Sequence, residues 1–295
     1  MTWGEAHSGY LEAMRGRLRA RTLERFSIQL QRFREAIPLE RPEQLLHGHL
    51  QEYLHHLLEQ PVKKATAWSY WARLLPFARW LYRQGVLLYD PTAEVKLPRF
   101  GRPLRRPLSL EEVQRLLKSP HPDTLAGQRD LALLEFFYGT GLRLGEVQSL
   151  QVTDVQLGER CAGLRQSKTQ LRWVPMGRHL TAVMSHYLAK VRPQLQRDSQ
   201  VPALWLNSQG QAMTYAGIGT RLKRLSRRAG LKPVSPHALR HAFATHLLRA
   251  GAPLLWVQAL LGHRSLLATQ VYTHLTGAEL LQEFRRTHPR ARKKT

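Results

Sequence analysis

Five side chains with phosphoryl-transfer chemistry lie between residues 143 and 272, each in or beside a predicted helix. They are Arg143, which follows Thr-Gly-Leu, His237 and Arg240 in one short segment, His263, which follows Leu-Gly, and Tyr272. Paired arginines can hold a phosphodiester, histidines can move protons, and a phenolic oxygen can attack phosphorus. The set predicts cleavage of a phosphodiester by the chain's own groups, and we expect neither a cofactor nor a metal.

Arginine suits phosphate because its planar fork donates two parallel hydrogen bonds and stays charged. His237 and Arg240 are three residues apart, so on one helix they point to the same side. Arg143 follows a glycine at a predicted helix start, where backbone N–H groups also favour anions. We therefore expect Arg143 and Arg240 to clamp the two non-bridging oxygens and to stabilise a pentavalent phosphorus transition state.

Tyr272 is the candidate nucleophile. A phenol has a pKa of about 10, so it needs a base or a positive field to react at neutral pH. His237 is the candidate base, and His263 is placed to donate to the scissile phosphate. The leaving 5′-oxygen needs a proton, and Lys168 is the only lysine between residues 151 and 189. On the tip of a predicted hairpin, it would act as the general acid from the minor groove.

Other chemistries fit the sequence less well. His237, His241 and His246 could suggest zinc, but no glutamate lies between the first two and acidic residues are sparse nearby. No glycine-rich loop ends in Gly-Lys-Ser/Thr, which NTP hydrolysis would need. A two-metal nuclease would need clustered carboxylates, and none are apparent. Taken singly, an arginine is usually a surface residue and a tyrosine a half-buried core residue; the ordered combination favours catalysis.

The bulk composition points to nucleic acid. The 295 residues include 45 Lys and Arg against 21 Asp and Glu, a formal net charge of +24. Such a field attracts a polyanion, although charge alone also fits a ribosomal or chromatin-type binder. A single cysteine, Cys161, excludes an intrachain disulfide, no apolar run is long enough for a membrane span, and the first residues lack a secretory signal. We therefore expect a cytoplasmic protein with double-stranded DNA as partner and no membrane association.

The chain divides into two predicted domains. Helical periodicity dominates residues 1–97, with one helix expected from Tyr10 to about Ala36 and another, aromatic-rich, from about Thr66 to Gln84. Prolines and basic residues mark a linker at 98–106. The aromatic stripe is more typical of a core than of a base-stacking platform.

Residues 107–295 form the predicted second domain. It opens with the capping box Ser109–Glu112 and continues as helices with a short sheet between about Gln151 and Pro175. The predicted fold class is therefore mainly α, with a small helical N-terminal domain and a mainly helical catalytic domain. A strongly basic helix over 214–229 and basic positions of the first domain are the candidate phosphate contacts. These candidates are Lys63, Lys64, Arg73, Arg221, Arg224 and Arg228.

Four motifs resemble the conserved boxes of tyrosine recombinases of the phage-integrase type. They are Thr140-Gly-Leu-Arg-Leu-Gly-Glu146, Pro236-His-Ala-Leu-Arg-His-Ala-Phe-Ala-Thr-His-Leu-Leu248, Leu261-Gly-His263 and Thr269-Gln-Val-Tyr-Thr-His274. The resemblance covers residues 103–288 strongly and 10–96 loosely. Within the family the chain looks closest to the Xer recombinases, and its ending, His288-Pro-Arg-Ala291, is similar to the C-type member.

The resemblance implies a fold and a reaction. It implies a C-shaped clamp around DNA, built from a SAM-like core-binding domain and the catalytic domain, and a 3′-phosphotyrosyl link at Tyr272. It also implies a homo- or hetero-tetramer, with a second Xer-type recombinase, that resolves chromosome dimers at division through a Holliday junction. A septal DNA translocase is a further implied partner. Leu280, Leu281 and Phe284 mark a last apolar helix that such proteins usually pass to a neighbour.

Three alternatives remain open at this stage. A mobile-element integrase would use the same chemistry, as would a topoisomerase-like relaxing enzyme. A DNA-binding regulator could keep the fold and lack catalysis. The cognate DNA site separates the first pair from a Xer role, and a covalent adduct separates all the enzymes from the regulator.

Overall fold

The computed structural model describes residues 1–18, 20–95, 106–165, 171–198, 200–262, 284 and 286–290. These residues are mainly helical, with one small sheet, which confirms the predicted fold class. The chain divides into two compact units, Met1–Leu104 and Arg105–Thr295. Apart from Arg106, the linker predicted at 98–106 lies outside the described residues.

The first unit is a helical bundle around an aromatic core. Its described helices are α1 Trp3–Met14, α2 Ala20–Ala36, α3 His47–Glu59, α4 Lys64–Ala72 and α5 Leu75–Arg83. The ring centroid of Tyr10 lies 4.5 Å from that of Phe26 and 5.4 Å from that of Phe77, so α1, α2 and α5 share these contacts. Trp71 is buried, and Trp68 and Trp80 pack against the same core, which confirms the core interpretation of the aromatic stripe.

Two predicted helices are each split in two, which makes those predictions wrong in detail. The helix expected from Tyr10 to Ala36 is interrupted at Gly16, whose φ of +80° leaves the right-handed helical region. The helix expected over 66–84 breaks after Ala72, and Pro76 lies in the first turn of α5. Proline fits there because its missing N–H has no helical partner at that position. The apolar periodicity of the sequence alone did not predict either break.

The second unit surrounds one central helix. Its described helices are α6 Leu110–Leu117, α7 Leu125–Thr140, α8 Leu144–Ser149, α9 Arg178–His186, α10 Arg192–Leu195, α11 Tyr215–Arg228, α12 Pro236–Arg249 and α13 Leu254–Leu261. Twelve of the 16 residues of α7 are buried, so this helix is covered on nearly all sides. The hydroxyl of Tyr138 on α7 lies 2.9 Å from Nδ1 of His246 on α12, which fixes the two helices together inside the core.

A three-stranded antiparallel sheet confirms the short sheet predicted before α9. Its strands are β1 Val155–Gln156, β2 Cys161–Arg165 and β3 Leu171–Pro175, in the order β1-β2-β3. Arg165 pairs with Leu171 at the end of the β2–β3 ladder. The two strands therefore bracket residues 166–170, which carry Lys168.

The C-terminal segment packs against its own unit. Phe284 is buried, its ring centroid 6.4 Å from that of Phe243, and it stacks on His288 at 4.8 Å. Leu280 and Leu281, expected on the same apolar helix, lie outside the described residues. In this single chain the Phe284 side chain therefore fills a site within the same unit.

A buried carboxylate holds the end of this segment. Glu135 on α7 is buried and forms ion pairs with His179 and with Arg290. Burial opposes ionisation of Glu135, but hydrogen bonds from His179 and Arg290 bring its pKa below the usual value. The segment is therefore tied to α7 by charge as well as by ring packing.

Because of His288, we expect the stability of the packed C-terminal segment to depend on pH. Its Nε2 lies 3.3 Å from the Tyr138 carbonyl oxygen and its Nδ1 accepts from the Arg290 N–H, so the folded site holds a neutral ring. Burial lowers the pKa of His288 to about 4. Because protonation favours the unfolded chain, the stabilisation is complete above about pH 6.5 and is lost as pH falls towards 4, by on the order of 3 kcal/mol.

Urea unfolding of the wild type and of His288→Phe at several pH values measures this effect. The variant keeps an aromatic ring but cannot titrate, so we expect its stability to fall less between pH 6.5 and 4. Parallel curves for the two proteins over that window would contradict the assignment.

Candidate active site

Arg240 joins three segments of the second unit. It lies on α12, is 5% exposed, and donates from Nη1 to the Gly141 carbonyl at 2.8 Å and from Nη2 to the Leu261 carbonyl at 2.7 Å. Gly141 ends α7, and Leu261 ends α13 just before His263. One buried guanidinium therefore brings together the sequence motifs that contain Arg143, Arg240 and His263.

The turn between α7 and α8 presents Arg143. Gly141 adopts a left-handed conformation with φ of +64°, and its N–H closes the end of α7 on the Phe137 carbonyl. Arg143 then caps α8, and its backbone N–H donates to Oε2 of Glu146 at 2.7 Å. Its side chain is 53% exposed, so the guanidinium can reach an incoming phosphate.

Three guanidinium groups surround the carboxylate of Glu146. Its Oε1 lies 3.4 Å from Nη1 of Arg143 and 3.6 Å from Nη2 of Arg172, and its Oε2 lies 3.9 Å from Nη1 of Arg240. The cluster contains three positive charges and one negative charge. This local excess of positive charge favours an anion as the next partner.

The electrostatics of the buried arginines agree with this expectation. Burial and the nearby charge of Arg143 lower the pKa of Arg240 to about 10, against the opposing effect of Glu146. Burial also lowers the pKa of Arg172, while Glu146 raises it. A phosphate at this site would stabilise the charged form of both groups, because opposite charges favour each other's ionised state.

The start of α12 carries the candidate base. Ser235 caps the helix by accepting from the Ala238 N–H, and Pro236 occupies the first turn, as predicted. His237 is exposed there, whereas Arg240, one turn further along, is buried. The two side chains, which were expected on one side of the helix, therefore differ in exposure: His237 is at the surface and Arg240 is inside.

Three predicted catalytic residues lie outside the described residues: Lys168, His263 and Tyr272. Their neighbours along the chain are described. Lys168 follows β2 and precedes β3, and His263 follows Gly262, which closes α13 in a left-handed conformation with φ of +64°. Their roles remain predictions.

The candidate phosphate contacts differ in their surroundings. Lys63 and Lys64 are exposed at the start of α4, and Arg73 lies between α4 and α5 with its guanidinium carbon 5.4 Å from the Tyr70 ring centroid. In the second unit Arg224 and Arg228 are exposed on α11.

Arg221, on the same helix, has a different environment. It hydrogen-bonds and ion-pairs with the fully buried Asp130 on α7, which also pairs with Arg129 at 2.7 Å. This contact gives Arg221 a role in anchoring α11 to α7. Its predicted contact with a DNA phosphate stays a prediction.

Two residues of the cluster were not predicted from the sequence. Glu146 stands three residues after the helix-capping position, a spacing that identifies a capping box but not a shared ion pair. Arg172 is one of several basic residues around the hairpin, and no sequence signal distinguishes it. Only its burial and its neighbours reveal it.

Among the described residues, no three or more His, Cys, Asp or Glu side chains are grouped where they could bind a metal ion. None of the helices in the described part of the chain is both long and apolar enough to span a membrane.

Comparison with known proteins identifies a family. The model of the phage integrase family matches residues 106–279. The chain is 37% identical over 256 residues to the tyrosine recombinase XerC of Pelotomaculum thermopropionicum, covering 85% of this chain and 84% of the relative. It is 38% identical over 240 residues to the tyrosine recombinase XerD of Pseudomonas putida, covering 81% and 80%. Since C- and D-named relatives match about equally, the C-type assignment stays a prediction.

Solved structures share the fold at lower identity. The Tn1549 transposon integrase in complex with transposon right-end DNA has a TM-score of 0.76 and 18% identity, covering 97% of this chain and 99% of that one. The pre-cleavage complex of the XerH site-specific recombinase with its difH substrate has a TM-score of 0.65 and 23% identity, covering 88% and 78%.

We expect the turn before Arg143 to require glycine at position 141. A Cβ at this position would overlap the ring of Phe243 on α12, and the positive φ adds strain. We expect Gly141→Ala to lower the free energy of unfolding by about 2–4 kcal/mol. Gly145→Ala is the matched control, because a Cβ there meets nothing within 4 Å. Urea unfolding checks both, and equal stabilities of the two variants would contradict this account of the turn.

Proposed function

Because the chain belongs to the phage integrase family as a Xer-type tyrosine recombinase, an enzyme that cuts and rejoins DNA at specific sites, we propose that it resolves chromosome dimers. In this proposal Tyr272 is the nucleophile, and the reaction takes place in the cytoplasm within a tetramer. The observation that carries the assignment of the site is the arginine cluster around Glu146. That cluster joins motifs from distant parts of the sequence at a place with excess positive charge.

The proposed reaction starts at the phosphate. Arg143 and Arg240 bind its two non-bridging oxygens and stabilise the charge of the pentavalent transition state. Arg143 is accessible for this, and Arg240 is held in place by two carbonyl groups. The phosphate then replaces Glu146 as the negatively charged partner of Arg143 and Arg240.

Strand cleavage and strand rejoining follow as two steps. The Tyr272 oxygen forms a bond to phosphorus as its proton passes to His237, and the bond from phosphorus to the 5′-oxygen breaks. Lys168 protonates the leaving 5′-oxygen, while His263 donates to the phosphate. The 3′-phosphotyrosyl link keeps the bond energy, so a 5′-hydroxyl from a partner strand can reverse the step and rejoin DNA without ATP.

Basic residues of each unit would hold the duplex. Exposed Arg224 and Arg228 on α11, and Lys63, Lys64 and Arg73 in the first unit, are the proposed backbone contacts. Contacts of this kind position a protein without reading sequence. Their number also means that affinity should fall steeply with salt.

The chemistry is tested by trapping the covalent intermediate. Duplexes that the full-length protein retains from fragmented host DNA are nicked beside the scissile phosphate, so that cleavage releases a short strand and cannot reverse. We expect an SDS-resistant adduct with the wild type and none with Tyr272→Phe, whose binding should be intact. Arg143→Ala and Arg240→Ala should each slow adduct formation by roughly a hundredfold to a thousandfold or more.

Peptide mapping of the adduct decides the nucleophile. DNA attached to any side chain other than Tyr272, or normal cleavage by either arginine variant, would contradict the proposed site. A chain that binds the duplexes but never forms an adduct would instead be a DNA-binding regulator.

The assembly and the cellular role need a separate test. The sequence of the retained DNA distinguishes the readings, because a Xer pair requires a chromosomal site with two unequal half-sites and a mobile-element integrase does not. We expect four protomers per pair of sites, which light scattering of the complex measures, and an accumulation of chromosome dimers when the gene is deleted. Retained sites at the ends of a mobile element would favour the integrase alternative.

A further inference from the structure

We propose that Arg172 is a positioning residue for strand cleavage, which acts as the dedicated counter-ion of Glu146 once DNA is bound. The inference rests on the proposed function, since it concerns the same phosphate site. It concerns a side chain that would not touch the phosphate itself. Its effect would pass through Glu146 and through the turn at Gly262.

The position of Arg172 in the sheet places its side chain beside the cluster around Glu146. It lies on β3, opposite Leu164 of β2, and its side chain is only 14% exposed, whereas the next residue, Trp173, is exposed. A buried cation is strongly unfavourable unless it is paired and hydrogen-bonded. Such a group therefore needs a partner in at least one state of the protein.

One edge of the Arg172 guanidinium has no hydrogen-bond partner among the described residues. Its Nε and Nη2 are both buried and make no hydrogen bond there. The nearest carboxylate oxygen, Oε1 of Glu146, is 3.6 Å from Nη2, just beyond a hydrogen bond. These two nitrogens form the edge with which arginine takes a carboxylate in a bidentate pair. A shift of Glu146 by a few tenths of an ångström would bring its Oε1 within hydrogen-bonding distance of Nη2.

In the DNA-free chain Glu146 is shared with two other arginines. When a phosphate binds Arg143 and Arg240, that sharing ends, but Glu146 remains in place because its carboxylate accepts the Arg143 N–H. A carboxylate fixed beside a phosphodiester would repel it. Pairing with Arg172 neutralises this charge and leaves Arg143 and Arg240 to the phosphate.

Arg172 also lies against the turn that precedes His263. A Cβ added to Gly262 would overlap the Arg172 guanidinium, so β3 and the end of α13 are in close contact there. Gly262 also has φ of +64°, a conformation that favours glycine. Arg172 therefore supports the segment that leads to the proposed phosphate donor.

Arg192 provides the contrasting case of a buried arginine with a structural role. Its guanidinium donates to the carbonyls of Val201 and Ala203 and to the side chain of Gln196. All its partners lie within its own part of the fold and none belongs to the cluster. It is thus a matched control for removing a buried positive charge.

The test uses the full-length protein and the nicked duplex described above, at saturating protein, so that the cleavage rate is separated from binding. Arg172→Met removes the charge and keeps most of the volume; we expect cleavage slower by roughly tenfold or more, with duplex affinity changed by less than about threefold. Arg172→Lys should recover most of the rate. Arg192→Met should cleave like the wild type once the folded fraction is taken into account.

The decisive variant combines Arg172→Met with Glu146→Gln. Glutamine still caps the Arg143 N–H but carries no charge. If Arg172 acts by neutralising Glu146, the double variant should cleave faster than Arg172→Met alone, a result that lost packing would not produce. Thermal unfolding of each variant provides the folded fraction.

Two results would overturn the proposal. One is a wild-type cleavage rate for Arg172→Met; the other is a defect that matches its loss of folded protein and is not relieved by Glu146→Gln. A wild-type chain that forms no adduct would overturn the proposed function, and this inference with it, so the two failures are distinguished by the wild-type arm.

Discussion

The buried guanidinium of Arg240 is the contact on which the geometry of the site depends. Each of its two terminal nitrogens donates to a backbone carbonyl, one at the end of α7 and one at the end of α13. Backbone carbonyls are acceptors whose positions are fixed by the helices that carry them. Because these two carbonyls lie just before Arg143 and the predicted phosphate donor His263 in sequence, a single side chain joins the ends of the two helices that lead to them.

The cluster around Glu146 brings three positive charges close together, which is unfavourable unless an anion binds there. The carboxylate of Glu146 is shared by the buried Arg240, the partly buried Arg172 and the exposed Arg143, at distances of 3.4 to 3.9 Å. The fully buried carboxylate of Asp130 also has more than one arginine partner, Arg129 at 2.7 Å and Arg221, but the cluster around Glu146 holds a third guanidinium. Its excess of positive charge is suited to binding an anion.

The sequence predicted the parts of the site that depend on local spacing. The glycine before Arg143, the serine cap before His237 and the glycine after α13 are short-range signals, and the helices begin and end where they indicate. It could not predict contacts between distant residues. Arg221 pairs with Asp130, 91 positions away, and Arg172 on β3 lies beside Glu146 on α8. The break at Gly16 was missed because apolar periodicity continues on both sides of it.

Two ranges of electrostatic attraction follow from this arrangement. The net charge of +24 acts at long range on any duplex, through exposed side chains such as Arg224 and Arg228, and dissolved salt screens it over a Debye length of about 8 Å. In the cluster around Glu146, the side chains of Arg240 and Arg172 are shielded from solvent, so salt screens their charges much less. In the proposed function, capture of DNA therefore rests on surface charges, whereas stabilisation of the phosphorus centre rests on this cluster. Changing the surface charges would then alter how often DNA arrives, while the cluster would stabilise the phosphate that reaches it.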